Sequence, residues 1–400
     1  MIQYQGLLVV PNVQGGGCNM NIMSLFSNIG VAEAYLSSIG VEVVLANELI
    51  SRRAELYSQI YPHTEMICGD ITNSGIKATI IERAKSLGVS AIIATPPCQG
   101  MSRAYRTKRT DDKRNLLILH VIEIVKALHP MYIFIENVPS FSETTIQVDD
   151  KMTTIGEQIN KELGALYYIS TSLIDTMNYS VPQTRKREIT LLTRRDIPQQ
   201  WLLPHEDDFI VSLEDAIGDL PSLDPYVIDI SKEEMNNLFP EFLSKLNEAS
   251  KISRWHKPPT HVKRQVITMM HTPTGKTAFD NAKHIPLKSD GTPVVGYKST
   301  YRRLRWCDPA STVTMDNRKI SSQNNVHPGR LIGRCKCGDN LYSDARALSL
   351  LEIMRIMSLP DDWPLPHNIN EAFVRSVVGE GIPPLFVKKV FNELMGKGYK

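Results

Sequence analysis

In the first half of this 400-residue chain, short apolar runs alternate with longer stretches in which apolar residues recur at helical spacing. Such runs are typical of buried strands, and the stretches between them are typical of amphipathic helices. Strands that alternate with helices imply right-handed βαβ units, so we expect an α/β fold with a doubly wound, mostly parallel sheet. The pattern predicts strands at 21–26, 41–46, 66–68, 91–94 and 132–135, and helices at 31–39, 51–60, 76–87 and 115–128.

The alternation stops near residue 195, and the composition changes with it. Residues 196–345 are richer in Pro, His, Asn and Thr and carry short segments with many turn signals. Helical patterns return at 347–357 and 383–395. We therefore predict a first domain at 1–195, a smaller irregular domain at 196–369, and a segment at 370–400 that returns to the first domain.

Composition excludes several classes of protein. With 42% hydrophobic and 22% charged residues, the chain is too apolar for a disordered protein, and its apolar runs are too short to cross a bilayer. The N-terminus has no basic region followed by a long apolar stretch, so we expect no secretory signal. Six scattered cysteines favour free thiols in a reducing compartment. We predict a cytoplasmic protein with no membrane partner.

The formal net charge of +2 hides an uneven distribution. Between Lys251 and Arg346 there are 18 Lys and Arg against 6 Asp and no Glu, a balance of +12. The rest of the chain holds 27 basic and 37 acidic residues, a balance of −10. A locally cationic segment on an otherwise acidic protein suits a polyanion, although a solvated face without a partner has the same charge.

Three features that follow successive predicted strands indicate a nucleotide-type site. A turn of small residues follows the first strand, at the edge of the sheet where backbone approaches ligands. Glu48 ends the second strand, where a carboxylate suits ribose hydroxyls, and Asp70 follows the third, where it suits an adenine amino group. Together they predict an adenosine-containing cofactor, while Asn28 and Val31 in place of glycines disfavour a dinucleotide. The turn comprises Phe26, Ser27, Asn28, Ile29 and Gly30.

A reactive centre is predicted at the ends of the next two strands. In Thr95-Pro96-Pro97-Cys98-Gln99-Gly100 two prolines hold Cys98 at the ligand edge, although a lone cysteine is more often an ordinary buried residue. Glu136 leaves the fifth strand partly desolvated, in a position to deliver a proton. If residues 183–187 are extended, Arg185 and Arg187 project to one face, where paired guanidinium groups suit a phosphate or a carbonyl oxygen.

These residues form part of an ordered series that resembles the cytosine-C5 DNA methyltransferases of the prokaryotic restriction-modification type. Order and spacing agree from about residue 21 to the C-terminus, apart from the region between 196 and 345. The Pro-Cys-Gln, Glu-Asn-Val and Gln-x-Arg-x-Arg elements are highly specific together. The matching elements are Leu25-Phe26 with Gly30, Glu48, Asp70, Pro97-Cys98-Gln99, Asp112-Lys113-Arg114 with Leu117, Glu136-Asn137-Val138, Gln183 with Arg185 and Arg187, Arg346-Ala347-Leu348-Ser349, Pro360-Asp361 and Gly379-Glu380-Gly381-Ile382-Pro383.

The resemblance implies an S-adenosylmethionine-dependent methyltransferase fold and a reaction on a cytosine flipped out of double-stranded DNA. Cys98 as thiolate attacks C6, Glu136 protonates or hydrogen-bonds N3, and Arg187 binds the base carbonyl with support from Arg185. C5 then takes the methyl group, S-adenosylhomocysteine is left as product, and loss of the C5 proton with release of Cys98 restores aromaticity. The residues implied in cofactor binding are Phe26, Ser27, Asn28, Ile29, Gly30, Glu48, Leu49, Asp70, Ile71, Pro97, Leu117 and Glu380.

The resemblance also makes residues 196–369 the target-recognition domain, and the +12 segment falls there. Residues 102–114 match a mobile loop of the family that closes on DNA, and six basic residues suit it to phosphate contacts. Asn137 is implied in positioning the loop that bears Cys98. The residues implied in DNA contact are Gln99, Ser102, Arg103, Arg106, Asn137, Gln183, Arg302, Arg303, Arg305 and Arg318.

Several positions depart from the family pattern near the cofactor. Ser24 replaces an aspartate, Asn28 and Val31 replace glycines, and Glu380 replaces an asparagine. These changes are expected to lower cofactor affinity or to reshape the methionine end of the pocket, and none of them removes a catalytic residue.

The remaining predictions concern a metal site, the partners of the protein and its substrate. Cys335-Lys336-Cys337 with His327 lacks the spacing of a closed zinc site, so we predict no metal. We expect a monomer that is nucleoid-associated when acting on DNA and that belongs to a system with a cognate restriction endonuclease. One alternative is a tRNA cytosine-C5 methyltransferase of the same fold, which usually has a more compact middle domain. Another is a non-catalytic DNA-binding relative, which would have little need of the four catalytic side chains.

Overall fold

A computed structural model of the chain describes residues 19–97, 112–281, 283–321, 323–336 and 338–396. Short 3-10 turns connect several elements, among them Val31–Glu33 and Ser37–Ile39. The strands are β1 (Met20–Leu25), β2 (Val41–Glu48), β3 (Glu65–Cys68), β4 (Ala91–Ala94), β5 (Tyr132–Asn137), β6 (Thr145–Val148), β7 (Lys151–Thr154), β8 (Tyr167–Asp175), β9 (Lys186–Arg194), β10 (Tyr226–Val227), β11 (Thr260–His261), β12 (Leu331–Arg334) and β13 (Asn340–Tyr342). The helices are α1 (Ser51–Ile60), α2 (Ser74–Ser86), α3 (Leu117–Leu128), α4 (Ile155–Leu163), α5 (Leu213–Ile217), α6 (Lys232–Leu238), α7 (Phe242–Ile252), α8 (Lys263–Met270), α9 (Leu350–Ile356), α10 (Glu371–Glu380) and α11 (Pro384–Gly396).

The chain divides into two compact units. Of the described residues, the first unit contains those within 1–174, 187–205 and 387–400, and the second unit contains those within 175–186 and 206–386. These boundaries differ from the predicted ones in three places. Residues 175–186 leave the first unit, that unit extends to residue 205 rather than 195, and the chain rejoins it at residue 387 rather than 370.

The first unit is built on a seven-stranded sheet in the order β3-β2-β1-β4-β5-β9-β8. Strands β1 to β5 pair in parallel, and β9 runs antiparallel to β5. The predicted α/β fold with a mostly parallel sheet is therefore confirmed. Because parallel strands end at the same edge, the loops that follow β1 to β5 share the edge where ligands bind in such sheets.

Burial explains why these short runs become central strands. All four residues of β4 are buried, as are five of the six in β5, so both faces of these strands are covered. Helix α3 buries Ile118, Val121, Ile122 and Val125, which form one face at helical spacing. Within the residues that the structure describes, no helix is both long enough and apolar enough to cross a membrane.

The prediction of a helix at 31–39 is wrong. Two 3-10 turns occupy this stretch, and their hydrogen bonds span three residues, as when Leu36 N donates to the Glu33 carbonyl at 3.0 Å. Gly30 and Gly40 bracket the stretch with φ of 78° and 77°. Left-handed residues at both ends interrupt the α-helical backbone, and 3-10 turns are the usual short connectors in such a space.

The first unit is completed by its last segment. The indole Nε1 of Trp201 donates to the Val390 carbonyl at 2.9 Å, and the rings of Trp201 and Phe391 pack with centroids 5.0 Å apart. Phe391 also contacts Phe134 of β5, with ring centroids 6.2 Å apart. Helix α11 therefore supplies part of the core under the central sheet.

The second unit contains short helices that the sequence pattern did not resolve, with a small apolar core that includes Val266, Met269 and Val326. A buried ion network crosses it, in which Arg346 contacts Asp344 at 2.7 Å and Glu352 at 2.8 Å. Glu352 also accepts from the Ser349 backbone N–H and closes the capping box of α9. One carboxylate thus starts a helix and neutralises a buried arginine.

Candidate functional site

A turn with left-handed residues follows β1 at the ligand edge of the first unit. Phe26 and Asn28 have φ of 59° and 51°, and Gly30 has φ of 78°. The Asn28 backbone N–H donates to the Glu48 carboxylate at 2.9 Å. At Gly30 a Cβ would collide with the Tyr61 ring, and the Tyr61 hydroxyl donates to the Gly30 carbonyl at 2.6 Å. Both β2 and the residue after α1 therefore hold the turn in shape.

Two carboxylates stand at the ends of β2 and β3, the positions predicted for an adenosine site. One oxygen of Glu48 accepts from Asn28 N and the other from Ile50 N, each at 2.9 Å. Each carboxylate oxygen keeps a second lone pair that suits a ribose hydroxyl. Asp70 is exposed, and its Oδ1 accepts from Thr72 N at 2.9 Å, which fixes the carboxylate at the end of β3. This set of acceptors fits the adenosine end of the predicted cofactor.

The other residues predicted to bind the cofactor differ in their surroundings. Leu49 and Pro97 are exposed, Leu117 is partly buried at the start of α3, and Glu380 belongs to the second unit. Their roles stay predictions. The buried members of the set are Ser27, Ile29 and Ile71.

A buried acid near this turn escaped the sequence analysis. Glu33 is buried beside Tyr57, whose hydroxyl donates to its carboxylate. Burial raises the pKa of Glu33 to about 7, although hydrogen bonds from Ser24 and Tyr57 oppose the rise. Ser24 is the position where the family usually has an aspartate, so the acid of this region sits on the 3-10 turn instead of on β1. The apolar neighbours of Glu33 were the available signal.

Asn137 ties the loop after β4 to the end of β5. Its side-chain N–H donates to the Pro96 carbonyl at 2.8 Å, and its side-chain oxygen accepts from Val138 N at 2.9 Å. Because both ends of this buried amide are occupied in this way, we withdraw the prediction that Asn137 contacts DNA. A second tie was not predicted: Glu188 accepts from the Ser142 backbone N–H at 2.7 Å. The segment that leads into Cys98 is therefore anchored to the sheet.

Glu136 and Arg187 form an ion pair at the same edge. Nε of Arg187 lies 2.7 Å from Oε1 of Glu136, and the two side chains are 14% and 11% exposed. Both groups are mostly withdrawn from water, so the contact fixes the carboxyl in one orientation. Cys98, the third member of the predicted centre, lies outside the described residues, which end at Pro97 on this side.

Arg185 and Gln183 are committed to backbone contacts in the second unit. The guanidinium of Arg185 donates to the carbonyls of Val313, Gly379 and Glu380 at 2.9 to 3.2 Å. These contacts account for the burial of Arg185, and its predicted support of the loop or of Cys98 stays a prediction. Gln183 is fully buried and accepts from Val313 N at 2.9 Å, so its predicted contact with DNA is wrong as well.

The basic residues of the second unit separate into two groups. Arg303 is 1% exposed, and its guanidinium donates to the carbonyls of Met269 and His327 at 2.8 Å. It has no surface for DNA, and its predicted contact is wrong. Arg302 is partly exposed, and Arg305 and Arg318 are exposed, so their DNA contacts stay predictions. The predicted contacts that lie outside the described residues are Gln99, Ser102, Arg103 and Arg106.

Comparisons with known proteins agree with this architecture. The model of the family described as "C-5 cytosine-specific DNA methylase" matches residues 20–396. The type II methyltransferase M1.HgaI of Avibacterium volantium is 41% identical over 385 residues, which cover 95% of this chain and 99% of that protein. The type II methyltransferase M1.HphI of Haemophilus parahaemolyticus is 23% identical over 94% of this chain and 87% of its own length.

Solved structures share the fold at low sequence identity. A candidate DNA modification methyltransferase encoded within an E. coli prophage superposes with a TM-score of 0.65 at 18% identity, covering 94% of this chain and 99% of that one. The S. pombe Dnmt2 methyltransferase superposes with a TM-score of 0.55 at 13% identity, covering 95% and 99%. At these identities the likeness concerns the fold alone.

Proposed function

The chain belongs to the C-5 cytosine-specific DNA methylase family and is a DNA cytosine-C5 methyltransferase, and we propose that it acts through a covalent bond between Cys98 and C6 of the base. The observation that carries this mechanism is the Glu136–Arg187 pair at 2.7 Å. It lies at the sheet edge where Asn137 anchors Pro96, two residues before Cys98. An acid, a guanidinium and the approach to a nucleophile thus share one edge of the first unit.

Methyltransferases of this family use S-adenosylmethionine, which supplies an electrophilic methyl group when it is bound. In our proposal, Glu48 accepts hydrogen bonds from the ribose hydroxyls and Asp70 accepts one from the adenine amino group. The left-handed turn at Phe26 and Asn28 brings backbone, rather than long side chains, to this part of the edge.

The chemistry assigned to the protein side chains is the following. Cys98 as thiolate adds to C6, and Glu136 donates a hydrogen bond or a proton to N3, which stabilises the electrons that move toward C5. After C5 is methylated, its proton passes to solvent and the Cys98 sulfur leaves, which restores the aromatic ring. Arg187 holds Glu136 with Nε and turns its remaining N–H groups toward the carbonyl oxygen of the base.

The substrate base must leave the duplex for this reaction, because C6 is hidden in the stack. We propose that the basic residues of the second unit hold the duplex while the base is extruded. Arg305 and Arg318 are exposed and suited to phosphate or base contact. Buried arginines such as Arg303 position backbone instead and take no part in the contact.

The direct test is bisulfite-type sequencing of 5-methylcytosine in a methylation-free bacterial host that expresses the chain. DNA and tRNA are read in parallel. We expect the target cytosine of one short duplex motif to be fully protected from conversion, and we expect the tRNA to stay unmodified. Modified tRNA beside bare DNA would replace DNA with RNA as the substrate.

The covalent step is tested by Cys98→Ala with Cys307→Ala as the matched control, since Cys307 is an exposed free cysteine of the second unit. The Cys98→Ala protein should lose methyl transfer and still bind duplex DNA in a gel-shift assay. The control should retain both. Transfer at the normal rate by Cys98→Ala would remove the covalent mechanism and leave the family assignment intact.

We further propose that the enzyme works as a monomer and protects host DNA against a restriction endonuclease of the same specificity. The relatives named above are type II methyltransferases, which supports this role. Modification of one base at each flip requires no twofold symmetry. Analytical ultracentrifugation of the DNA complex should show one chain per site, and DNA from the expressing host should resist an endonuclease that cuts the methylated motif.

A further inference from the structure

A cluster of metal-binding side chain types lies in the second unit, outside the residues assigned to methyl transfer. His271 is the residue directly after α8, and Cys335 and Asp339 stand at the turn between β12 and β13. One potential ligand atom from each of the three side chains lies within 4.8 Å of the other two. In a tetrahedral zinc site the ligand atoms are about 3.3 to 3.8 Å apart, so a modest contraction would bring them to bonding positions.

The tautomer of His271 is already fixed. Its Nδ1 lies 3.1 Å from the Asn340 carbonyl, and only a protonated nitrogen can donate to a carbonyl. The proton therefore sits on Nδ1, and the lone pair sits on Nε2. Histidines that bind metals are oriented in the same way, by a hydrogen bond from the second nitrogen to a carbonyl or a carboxylate.

A second histidine fixes the plane of the His271 ring. The ring of His284 stacks on it with centroids 3.6 Å apart and an angle of 6° between the planes. This stacking and the hydrogen bond at Nδ1 hold the His271 ring in one orientation.

Two basic side chains contact the Asp339 carboxylate. Lys283 donates to it at 2.9 Å, and Nε2 of His284 lies 3.4 Å from its other oxygen. The Lys283 side chain is 60% exposed, and an ion pair of this kind contributes little stability. Lys283 can therefore turn away into solvent when a cation takes its place.

The hairpin backbone fixes the distance between the two ligands that it carries. Cys335 N donates to the Asp339 carbonyl at 2.9 Å, and Gly338 N donates to the Cys335 carbonyl at 2.9 Å. Gly338 has φ of 87°, which a residue with a side chain rarely adopts. A cavity of about 200 Å³ lies beside His271 and Asp339 and leaves room for an ion with a water ligand.

We propose that His271, Cys335 and Asp339 bind one Zn²⁺ ion, with solvent as the fourth ligand, and that the ion fastens the β12–β13 hairpin to the end of α8. A nitrogen, a thiolate and a carboxylate form a donor set that suits zinc, whereas magnesium and calcium prefer oxygen alone. The prediction of no metal was made for a set of side chains that included His327. That residue belongs instead to the buried ion network with Glu352. The sequence separates His271 from Cys335 by more than sixty residues, so spacing gives no signal for this set.

Zinc binding requires a reduced Cys335. The exposed cysteines Cys68 and Cys307 are free, as expected for the chain, but Cys335 is disulfide-bonded. A dithiol such as dithiothreitol gives two electrons and two protons to this bond, which yields two thiols and the cyclic disulfide of the reductant. The Cys335 thiol then loses its proton to solvent as the sulfur binds the cation.

The test uses the full chain without a polyhistidine tag, purified with dithiothreitol and without chelators from cells grown with added zinc. Inductively coupled plasma mass spectrometry should find about one zinc per chain in the wild type. His271→Ala and Cys335→Ser should each lose most of the zinc. His367→Ala and Cys307→Ser, which change an exposed histidine and an exposed free cysteine, should keep it.

Cobalt substitution separates loss of the site from loss of the fold. The wild type with Co²⁺ should show a thiolate-to-cobalt charge-transfer band that is absent from Cys335→Ser, while both proteins keep the same circular dichroism spectrum. A reduced wild-type chain that holds no zinc, or variants that hold as much as the wild type, would overturn the proposal. Methylation activity is read separately, so neither result depends on the proposed catalytic mechanism.

Discussion

Arg187 and Glu136 show what a single residue contributes to the proposed mechanism. A guanidinium presents its donors in a fixed planar fork, so one edge can hold the carboxyl while another faces the base. The contact in the structure joins Nε of Arg187 to Oε1 of Glu136, and in our proposal the terminal nitrogens serve the base. Lysine has the same charge but cannot serve both partners from one fixed plane.

Arg187→Lys is therefore expected to lower kcat for methyl transfer by about 100-fold, as for loss of one donor to a developing charge. Binding of duplex DNA should change little, because the charge is retained. The matched control is Arg194→Lys on the same strand, where the arginine pairs with Asp196 in a more exposed position. Steady-state kinetics with equal kcat for all three proteins would remove Arg187 from the mechanism.

Glu33 gives a second prediction for a single residue. Its pKa rises from 4.5 to about 7 on folding, so the folded protein holds a proton that the unfolded chain releases. The stability that this provides is fully present below pH 4.5 and is lost as the pH rises through 7. Glu33→Gln keeps the neutral form, so at pH 8 the variant should be more stable than the wild type by up to about 3 kcal/mol.

Thermal denaturation at pH 5 and pH 8 measures this difference. The gap between variant and wild type should open with rising pH, and Glu55→Gln, an exposed position on α1, should show no such trend. An equal gap at both pH values would mean that Glu33 is ionised in the folded protein.

At this scale the sequence predicted the positions of the acidic residues at strand ends better than the burial of the basic ones. Glu48, Asp70 and Glu136 all stand at strand ends, where the apolar pattern of the strand marks their position. Arg185 and Arg303 are buried and bind carbonyls, yet they sit in polar stretches like their exposed neighbours. Burial of such residues depends on contacts between distant segments, which a local pattern does not contain.

Where strands and helices alternate, the elements of the first unit lie close to the bounds that the sequence pattern predicts. Helix α1 and strand β4 have the predicted bounds, because a buried run or an apolar face settles each of them. The hairpin β6–β7 and the 3-10 turns after Gly30 were not predicted. Short elements in which buried and exposed residues mix have only a weak periodic pattern of apolar residues. In the second unit the helices α5 to α8 have five to eleven residues each, which is near the limit of periodic detection.

Helix α9 depends on a carboxylate that serves two purposes. Glu352 caps the helix and contacts Arg346, and although burial alone raises its pKa, the Arg346 charge brings the pKa down to about 2. Glu352→Gln should lower the free energy of unfolding at pH 7 by about 3 to 5 kcal/mol. The reason is that the buried Arg346 charge then keeps only Asp344 as its carboxylate partner. Glu214→Gln breaks an exposed pair with Arg330 and should cost less than about 1 kcal/mol.

Urea denaturation at pH 7 compares these variants. For the wild type, the contribution of Glu352 is present above pH 4.5 and is lost as the pH falls toward 2, since the folded pKa is the lower one. The cost of Glu352→Gln should therefore shrink in acid. A cost that does not change between pH 7 and pH 3 would mean that the ion pair is not what stabilises α9.

For the whole molecule, the uneven charge predicts how DNA binding responds to salt. Sixteen of the 18 basic residues between Lys251 and Arg346 are exposed or partly exposed, and the buried pair is Arg303 and Arg346. If about four of the sixteen contact phosphates, affinity for duplex DNA should fall by about 100-fold between 50 and 200 mM salt. Affinity for S-adenosylmethionine should stay nearly constant over this range.

Fluorescence anisotropy at several salt concentrations tests this and separates the two groups of arginines. Arg318→Gln should reduce the slope of log affinity against log salt by about one contact. Arg303→Gln should leave the slope unchanged and lower the thermal stability. A flat salt response for the wild type would place the DNA contact outside this segment.

The number of units was predictable from the change in composition near residue 195, whereas their boundaries were not. Residues 175–186 connect strands β8 and β9 of the first unit, but they belong to the second unit. Assignment to a unit follows from which distant residues the segment contacts, as when the Gln183 side chain accepts from Val313 N. Periodicity along the chain carries no information about such pairs.

The contribution of α11 to the core of the first unit has a consequence for how a cell produces this enzyme. A ribosome that has translated the chain through residue 386 has made every strand of the central sheet, yet Phe391 has not arrived to cover Trp201. Nascent chains therefore carry an uncovered aromatic surface until α11 has been made. We expect a chain that stops before α11 to expose Trp201 and to be less stable than one that contains the helix.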